Sequence, residues 1–354
     1  MTWKNILTET LKVNYPIIQA PMLGVSSPEM AAVVSNQGGL GSLPVGGLAP
    51  DVTQQLIRQT KSLTAKPFAV NLFAHDVPDY TEDAIEPMRQ LLIRLATKRG
   101  YTLDKADLSN FRFYTYHDQI DILIQEAVPV VSFTFGCLDS KSIQLLKDNG
   151  CTLMGTATCM EEALFLQQQH IDIVTVQGLE AGGHRGTFLN NIPLPQIGLF
   201  SLLPQITRSV QVPCIAAGGI YNEQTIRAAF ELGAVGVQIG TAFIGTAESL
   251  AIPSYKARLT EAKDTDTVLT KAFSGRWARG IRNEVISAIE QSGISIPPYP
   301  VQNSLMAKIR KLAQQNNDHE YTTLWAGQSA ATTELTTTKN VFVNLVKQYE
   351  TRYS

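Results

Sequence analysis

Apolar residues form short runs through the first two thirds of the chain, and each run ends in a turn residue and precedes a longer helix-like stretch. Strands that alternate with helices in this way are typical of βαβ units. Eight runs are predicted to be strands: residues 17–22, 40–45, 67–73, 130–135, 151–157, 173–178, 213–218 and 236–241.

These runs are apolar almost throughout, which favours parallel strands covered by helices on both faces of the sheet. Eight such units over about 245 residues match the size of a closed (β/α)8 TIM barrel, roughly 250 residues. The alternative is an open doubly wound sheet. It is disfavoured because Gly39 and Gly41 are not completed to the G-x-G-x-x-G pattern of dinucleotide-binding proteins.

Two stretches interrupt the alternation and suggest additions to the barrel. Residues 74–129 are too long for a simple crossover and are predicted to be an insertion within a barrel domain spanning residues 1–246. Residues 247–330 are predicted to form a smaller helical domain on the substrate side, over the C-terminal mouth of the barrel. Residues 331–354 are predicted to contain a C-terminal helix that packs back on the barrel.

Charge and composition narrow the class of partner. The 354 residues include 29 Lys and Arg against 31 Asp and Glu, with no long basic run, so nucleic acid and membrane surfaces are not expected partners. The 4 cysteines show no C-x-x-C spacing and are expected to be core thiols. The first residues lack the apolar stretch of a signal peptide, and no apolar run is long enough to span a membrane, so we expect a cytoplasmic protein with a small-molecule partner.

Candidate chemistry lies in the loops after the predicted strands. In TIM barrels a phosphate group commonly binds the loops after the seventh and eighth strands. Here those loops contain Gly218 and Gly219, and the segment Gln238, Ile239, Gly240 and Thr241. Glycine lets backbone N–H groups approach a phosphate closely. The same glycines could instead only allow tight turns.

The loop after the sixth predicted strand, residues 177–186, surrounds His184 and Arg185 with four glycines. His184 lies where a general base of near-neutral pKa could meet a substrate, although a loop histidine that binds a backbone carbonyl is the alternative. Asn71 and Gln177, at strand ends, can each offer an amide donor and acceptor to a heterocycle, or cap a turn. Met22 would place a thioether against a flat ring.

Other chemistries find no support in the sequence. Zinc-protease, nucleophile-elbow and Walker motifs are absent, and no cysteine cluster has metal-ligand spacing. The residues alone therefore indicate a barrel that binds a flat, phosphate-bearing cofactor and presents one candidate base. No metal is expected.

Together, residues 15–22, the strand end at Asn71, residues 132–136, 178–186 and 216–220 resemble the nitronate monooxygenase family, formerly called 2-nitropropane dioxygenase. The likeness continues through residues 270–283 and 324–328, so it spans nearly the whole chain. It points to the class of the family that has a catalytic histidine.

The resemblance implies an FMN-dependent enzyme that converts alkyl nitronates, such as propionate 3-nitronate, or nitroalkanes with O2 to a carbonyl compound and nitrite. His184 matches the base that removes the α-proton of a neutral nitroalkane. The residues that match flavin contacts are Asn71, Gln177, Gly182, Gly219, Gln238, Ile239, Gly240 and Thr241. Arg185, or protonated His184, could offset the charge of the bound nitronate.

Three functions other than nitronate oxidation are also considered. A flavin-dependent enoyl-acyl carrier protein reductase has a similar barrel loop, but its resemblance stops at the barrel motifs. An NAD(P)H:quinone reductase and a binding module that only keeps FMN are the others. The oligomeric state and the physiological substrate are left open by the sequence.

Overall fold

The computed structural model describes residues 3–103, 105–109, 111–189 and 192–353. Eight parallel strands form one sheet in the order β1-β9-β8-β6-β5-β4-β3-β2. They are β1 (Ile17–Gln19), β2 (Gly41–Pro44), β3 (Phe68–Phe73), β4 (Val130–Thr134), β5 (Thr152–Ala157), β6 (Ile173–Gln177), β8 (Cys214–Ala217) and β9 (Gly236–Ile239). Each lies within one of the predicted runs, so the prediction of eight barrel strands is confirmed.

The sheet closes between its first two strands. Ile18 forms a parallel bridge with Leu40. Leu40 N donates to Ile17 O, and Gln19 N donates to Leu40 O, both at 3.0 Å. Because neither strand keeps an open edge there, the chain forms a closed (β/α)8 barrel.

Helices surround the barrel and also close its N-terminal end. The surrounding helices are α2 (Pro28–Asn36), α3 (Pro50–Leu63), α5 (His117–Gln125), α6 (Ser140–Asp148), α7 (Met160–Gln168), α8 (Leu199–Ser209), α9 (Glu223–Glu231) and α14 (Thr338–Tyr353). The short α1 (Ile6–Leu11) packs Leu7 and Leu11 against strand residues that include Ile18 and Leu40. The barrel is therefore a packed core with one accessible mouth.

The C-terminal helix α14 contacts α2 and α9, which lie on either side of the gap that an eighth barrel helix would fill. Phe342, Leu345 and Val346 of α14 are buried in the main barrel core. The helix that belongs after β9 is thus present, but about 100 residues later in the chain.

The residues between β9 and α14 form a cap together with part of the insertion. The helices of this cap are α4 (Glu82–Lys98), α10 (Pro253–Thr260), α11 (Glu284–Gln291), α12 (Val301–Leu305) and α13 (Ala307–Gln315). Residues of α4 such as Met88 and Leu92 share a second hydrophobic core with Ile286 and Ile309. Two segments far apart in sequence therefore build one structural unit.

The cap differs from the predicted helical domain in including α4, and also because residues 247–330 contain strands β10 (Thr267–Thr270) and β11 (Ala278–Ile281). They form an antiparallel sheet with β7 (Gly183–His184), in which His184 pairs with Ala278. Strands β10 and β11 have four residues each and β7 has two, too few for a clear period-two pattern, and β11 pairs with β7 in a distant loop. No helix in the described part of the chain has the length and apolar character required to cross a bilayer.

Candidate active site

A cavity of about 420 Å³ lies at the carboxyl ends of the barrel strands, beneath the cap. This is the end of a TIM barrel where active sites form, and the volume is typical of small-molecule sites. We call the part formed by the barrel strand ends and their loops the floor, and the part formed by residues 299–329 the roof. The residues of the roof that line the cavity are Tyr299, Asn303, Ala307, Arg310, Lys311, Gln314, Thr323, Trp325, Gly327 and Ser329.

Glycines let the backbone of the floor approach closely. Gly218 and Gly219, after β8, have φ angles of +110° and +68°. A Cβ atom on Gly182 would lie 2.4 Å from the backbone N of Gly327, so only glycine allows the floor to meet the roof there. Gly240 also lines the cavity, and Thr241 Oγ1 accepts a hydrogen bond of 3.0 Å from Gly327 N. Gly182 is thus required for close packing, whereas Gly218, Gly219 and Gly240 line the cavity without a side chain.

The residues predicted to contact a cofactor are brought together on the floor, with one exception. Met22, Asn71, Gln177 and Gln238 all line the cavity. Asn71 Nδ2 donates to Ser132 Oγ at 3.0 Å, which fixes the orientation of its amide. Ile239 differs, because its side chain is buried in the barrel core and only its backbone, whose O accepts from Ala20 N, is near the first strand end.

Gln177 also holds the glycine-rich loop. Its Nε2 donates to His184 O at 3.0 Å, and its Oε1 accepts from Gly186 N at 2.8 Å. The amide therefore bridges the backbone on both sides of Arg185. This contact fixes β7, and with it the base candidate, relative to the end of β6.

His184 lines the cavity within an aromatic enclosure. The rings of Phe135 and Trp325 lie 5.2 and 5.4 Å from its ring, centroid to centroid, and Nε2 lies 2.8 Å from Ser274 Oγ. Burial, together with the positive charges of Arg276 and Arg310, lowers the pKa of His184 from 6.5 to about 3. The imidazole is therefore neutral at physiological pH, with one of its two ring nitrogens unprotonated.

Arg185 does not reach the cavity. Its side chain is fully buried, and its guanidinium donates to Gly178 O at 2.6 Å and Gln177 O at 3.2 Å. Arg276 instead lies over the Phe135 ring that packs against His184, with its guanidinium 4.4 Å from the ring centre, and its charge acts on His184. The cations whose charge acts on His184 are thus Arg276 and Arg310, and the expected role of Arg185 is not supported by its position.

The residues of the roof are not among those predicted from the sequence. Tyr299 packs against His184 and Phe135, and Arg310 lines the cavity from α13. In the sequence, Asn303, Ala307 and Arg310 follow one another at helical spacing, which could have indicated one helix face. A polar stripe on a helix ordinarily faces solvent, however. Only the position of the cap shows that this stripe faces a cavity.

Comparison with known proteins identifies the family. A sequence model described as nitronate monooxygenase matches residues 4–348. A probable nitronate monooxygenase of Staphylococcus haemolyticus is 41% identical over 353 residues, covering 99% of this chain and 98% of the relative. A relative with the same description from Staphylococcus aureus strain N315 is 40% identical, covering 98% of this chain and 97% of its own.

Solved structures agree with this. Nitroalkane oxidase from Streptomyces ansochromogenes superposes with a TM-score of 0.88 at 35% identity, covering 99% of this chain and 100% of its own. FabK from Thermotoga maritima is less similar, with a TM-score of 0.77 at 28% identity over 99% of this chain and 97% of its own. The chain therefore belongs to the nitronate monooxygenase family, whose enzymes are flavin-dependent oxidoreductases.

Proposed function

We propose that this protein is an FMN-dependent nitronate monooxygenase in which His184 is the general base. It converts alkyl nitronates, or the nitroalkanes from which they form, with O2 to a carbonyl compound and nitrite. The observation that carries the proposal is a neutral histidine in an aromatic cavity at the mouth of a flavoenzyme barrel, next to cations that stabilise an anionic product.

The floor of the cavity fits FMN. Backbone at Gly218, Gly219 and Gly240 carries no side chain that would exclude a phosphate, and Thr241 offers a hydroxyl at the same place. Asn71 and Gln238 can meet polar edges of a flat ring, and Met22 can contact its face. Bound there, the flavin would supply the redox chemistry of the reaction.

The hydrogen bonds of Ser274 indicate which nitrogen of His184 accepts the proton. Ser274 Oγ donates to Arg276 O at 3.1 Å and lies 2.8 Å from His184 Nε2. Since a hydroxyl has one proton, both contacts are hydrogen bonds only if Nε2–H donates to Ser274. The lone pair of Nδ1 is then free to take the α-proton of a nitroalkane.

Removing that proton creates a nitronate anion, and the positive charges near His184 can stabilise this anion. Arg276 and Arg310 both act on His184 electrostatically, and burial lowers the pKa of each arginine to about 10 without neutralising it. Their charge stabilises the nitronate more than the neutral nitroalkane. A nitronate that arrives already deprotonated needs the cations but not the base.

The experiment is to measure O2 consumption and nitrite release by the flavin-loaded protein with an alkyl nitronate and, separately, with NADH alone. Nitrite release without substantial NADH oxidation is the expected result. Rapid NADH oxidation without nitrite would make the protein a reductase. Turnover of neither would leave a flavin-binding module and overturn the proposal.

A further inference from the structure

Glu162 is a fully buried carboxylate in the first turn of α7, and it does not line the cavity. Its Oε2 accepts from Thr158 N at 2.6 Å and from Thr158 Oγ1 at 2.7 Å. Its Oε1 accepts from Thr187 Oγ1 at 2.9 Å and from Phe188 N at 2.7 Å. One carboxylate therefore joins the residue after β5 to the segment that follows His184.

The peptide group between residues 187 and 188 lies between this carboxylate and a cation of the active site. Its N–H, from Phe188, donates to Glu162 Oε1. Its carbonyl, from Thr187, accepts from Arg276 Nη2. Because the peptide group is planar, a carboxylate that holds the N–H also fixes the direction of the carbonyl. Glu162 and Arg276 are thus joined through one peptide group, which we call the peptide bridge.

The peptide bridge holds Arg276 without a carboxylate in direct contact. In the described part of the chain, its guanidinium donates to two neutral backbone carbonyls, Thr187 O and, at 3.4 Å, Phe135 O. Burial lowers the pKa of Arg276 to about 10, and the negative charge of Glu162 acts against this, so the guanidinium stays protonated at neutral pH. A carboxylate in contact with Arg276 would cancel more of its positive potential at His184, because electrostatic interactions weaken with distance.

We infer that Glu162 is a positioning residue that holds Arg276 through the peptide bridge and thereby sets the positive charge at His184. The inference rests on the proposed function, because that charge stabilises the nitronate formed there. The alternative is that Glu162 only supports the start of α7 and offsets the buried charge of Arg185, on which it also acts. The two roles differ in what happens when the carboxylate is removed.

The sign of the effect of Glu162→Met separates these roles. Methionine has a similar length but accepts neither N–H group, so the peptide bridge is lost. If Arg276 then moves away, the nitronate loses stabilisation and proton removal slows. If Arg276 stays in place, the lost negative charge leaves the potential at His184 more positive, and the reaction becomes faster.

The test measures kcat/KM for a neutral nitroalkane and the Kd of nitrate in the flavin-loaded protein. Nitrate is a planar anion that resembles a nitro group, and its binding is followed by flavin absorbance without turnover. In Glu162→Met, kcat/KM should fall roughly 10- to 100-fold and the Kd should rise roughly tenfold, because a charge-assisted contact is lost. Unchanged values, or a faster enzyme that binds nitrate more tightly, would overturn the inference.

A double-mutant cycle shows whether Glu162 acts through Arg276. Adding Glu162→Met to Arg276→Met should lower kcat/KM by less than about twofold further, since the cation is already absent. A further loss as large as in the wild-type background would assign Glu162 the structural role alone and overturn the inference.

Substitutions of Thr187 supply a milder test that does not remove the buried carboxylate. Thr187→Val removes one donor to Glu162 and should lower kcat/KM roughly threefold, whereas Thr187→Ser keeps the hydroxyl and the wild-type value. Wild-type kinetics in both variants would contradict the inference. Glu126→Gln is the matched control, because Glu126 is a buried carboxylate that pairs with Arg58 and Lys61 outside the cavity. It should leave both measurements unchanged.

Failure of this inference and failure of the proposed function give different results. If the wild-type protein releases no nitrite from any nitronate, the proposed function fails, and nitrate binding still reports whether Glu162 holds the cation. If nitrite is released and Glu162→Met matches the wild-type protein in both measurements, only the inference fails.

Discussion

The floor and the roof of the cavity offer a ligand different kinds of group. The floor presents backbone and amides at the ends of barrel strands, with Gly218, Gly219 and Gly240 at the loops where a phosphate is expected. The roof presents side chains from a helix face, among them the cation Arg310. Backbone recognition suits a cofactor that does not vary, whereas side-chain recognition can be retuned by single substitutions without disturbing the barrel.

The largest expected effect tests the residue that lies between the two. His184→Asn should lower kcat/KM for a neutral nitroalkane by roughly 10²- to 10⁴-fold, because only this substrate needs a proton removed. Turnover of the preformed nitronate should change far less. Steady-state kinetics with both forms of one substrate measure this, and an equal loss with both would remove the base assignment.

A substitution on the floor should act on the cofactor and not on the substrate. Gly219→Val places a branched side chain at φ +68°, where the phosphate would lie, and should weaken flavin binding by at least about tenfold. Gly150→Val is the matched control, because Gly150 has φ +77° but nothing within 4 Å of its added Cβ. Flavin content by absorbance should fall in the first variant and persist in the second. Equal flavin content in both would contradict the phosphate site.

The pH profile tests how the arginines act on the base. Since the pKa of His184 is lowered to about 3, its neutral form persists far below neutrality, and kcat/KM for a nitroalkane should stay flat down to about pH 4. Arg276→Met removes a positive charge that disfavours imidazolium, so the pKa should rise by roughly one unit and the activity should be lost at higher pH. Arg276→Lys keeps the charge and should keep the wild-type profile. Identical profiles in all three proteins would assign the lowered pKa to burial alone.

The smallest expected effect concerns the ion pair that joins the segment after α4 to the rest of the cap. Arg99, just after α4, pairs with both carboxylate oxygens of Asp318 at 2.7 Å, and Tyr101 Oη donates to the same carboxylate at 2.6 Å. Because Arg99 is more than a third exposed, Arg99→Met should cost only about 1 kcal/mol of unfolding free energy. Thermal unfolding measures this loss. A large loss of nitronate turnover would show that the roof depends on this ion pair for its position.

The sequence determined the barrel and much of the floor. Short apolar runs can be read directly, because both faces of a parallel strand are buried and nearly every residue must be apolar. The glycines at the ends of β8 and β9 could also be predicted, because functional residues of this fold lie at the carboxyl ends of the strands. His184 is predicted as the candidate base in the same way, from its place in a glycine-rich loop at a strand end.

Only the tertiary structure decided the roof. Asn303 and Arg310 lie on the consecutive helices α12 and α13, whose polar stripe looks like a solvated face, and nothing local indicates that it covers a cavity. The strand that carries His184 forms only because β11, almost 100 residues later, pairs with it. Arg185, the nearer cation in sequence, is turned away from the site and Arg276 takes its place. Local sequence fixes which elements form, whereas contacts between distant segments fix which charges meet, because electrostatic interactions depend on distance in space.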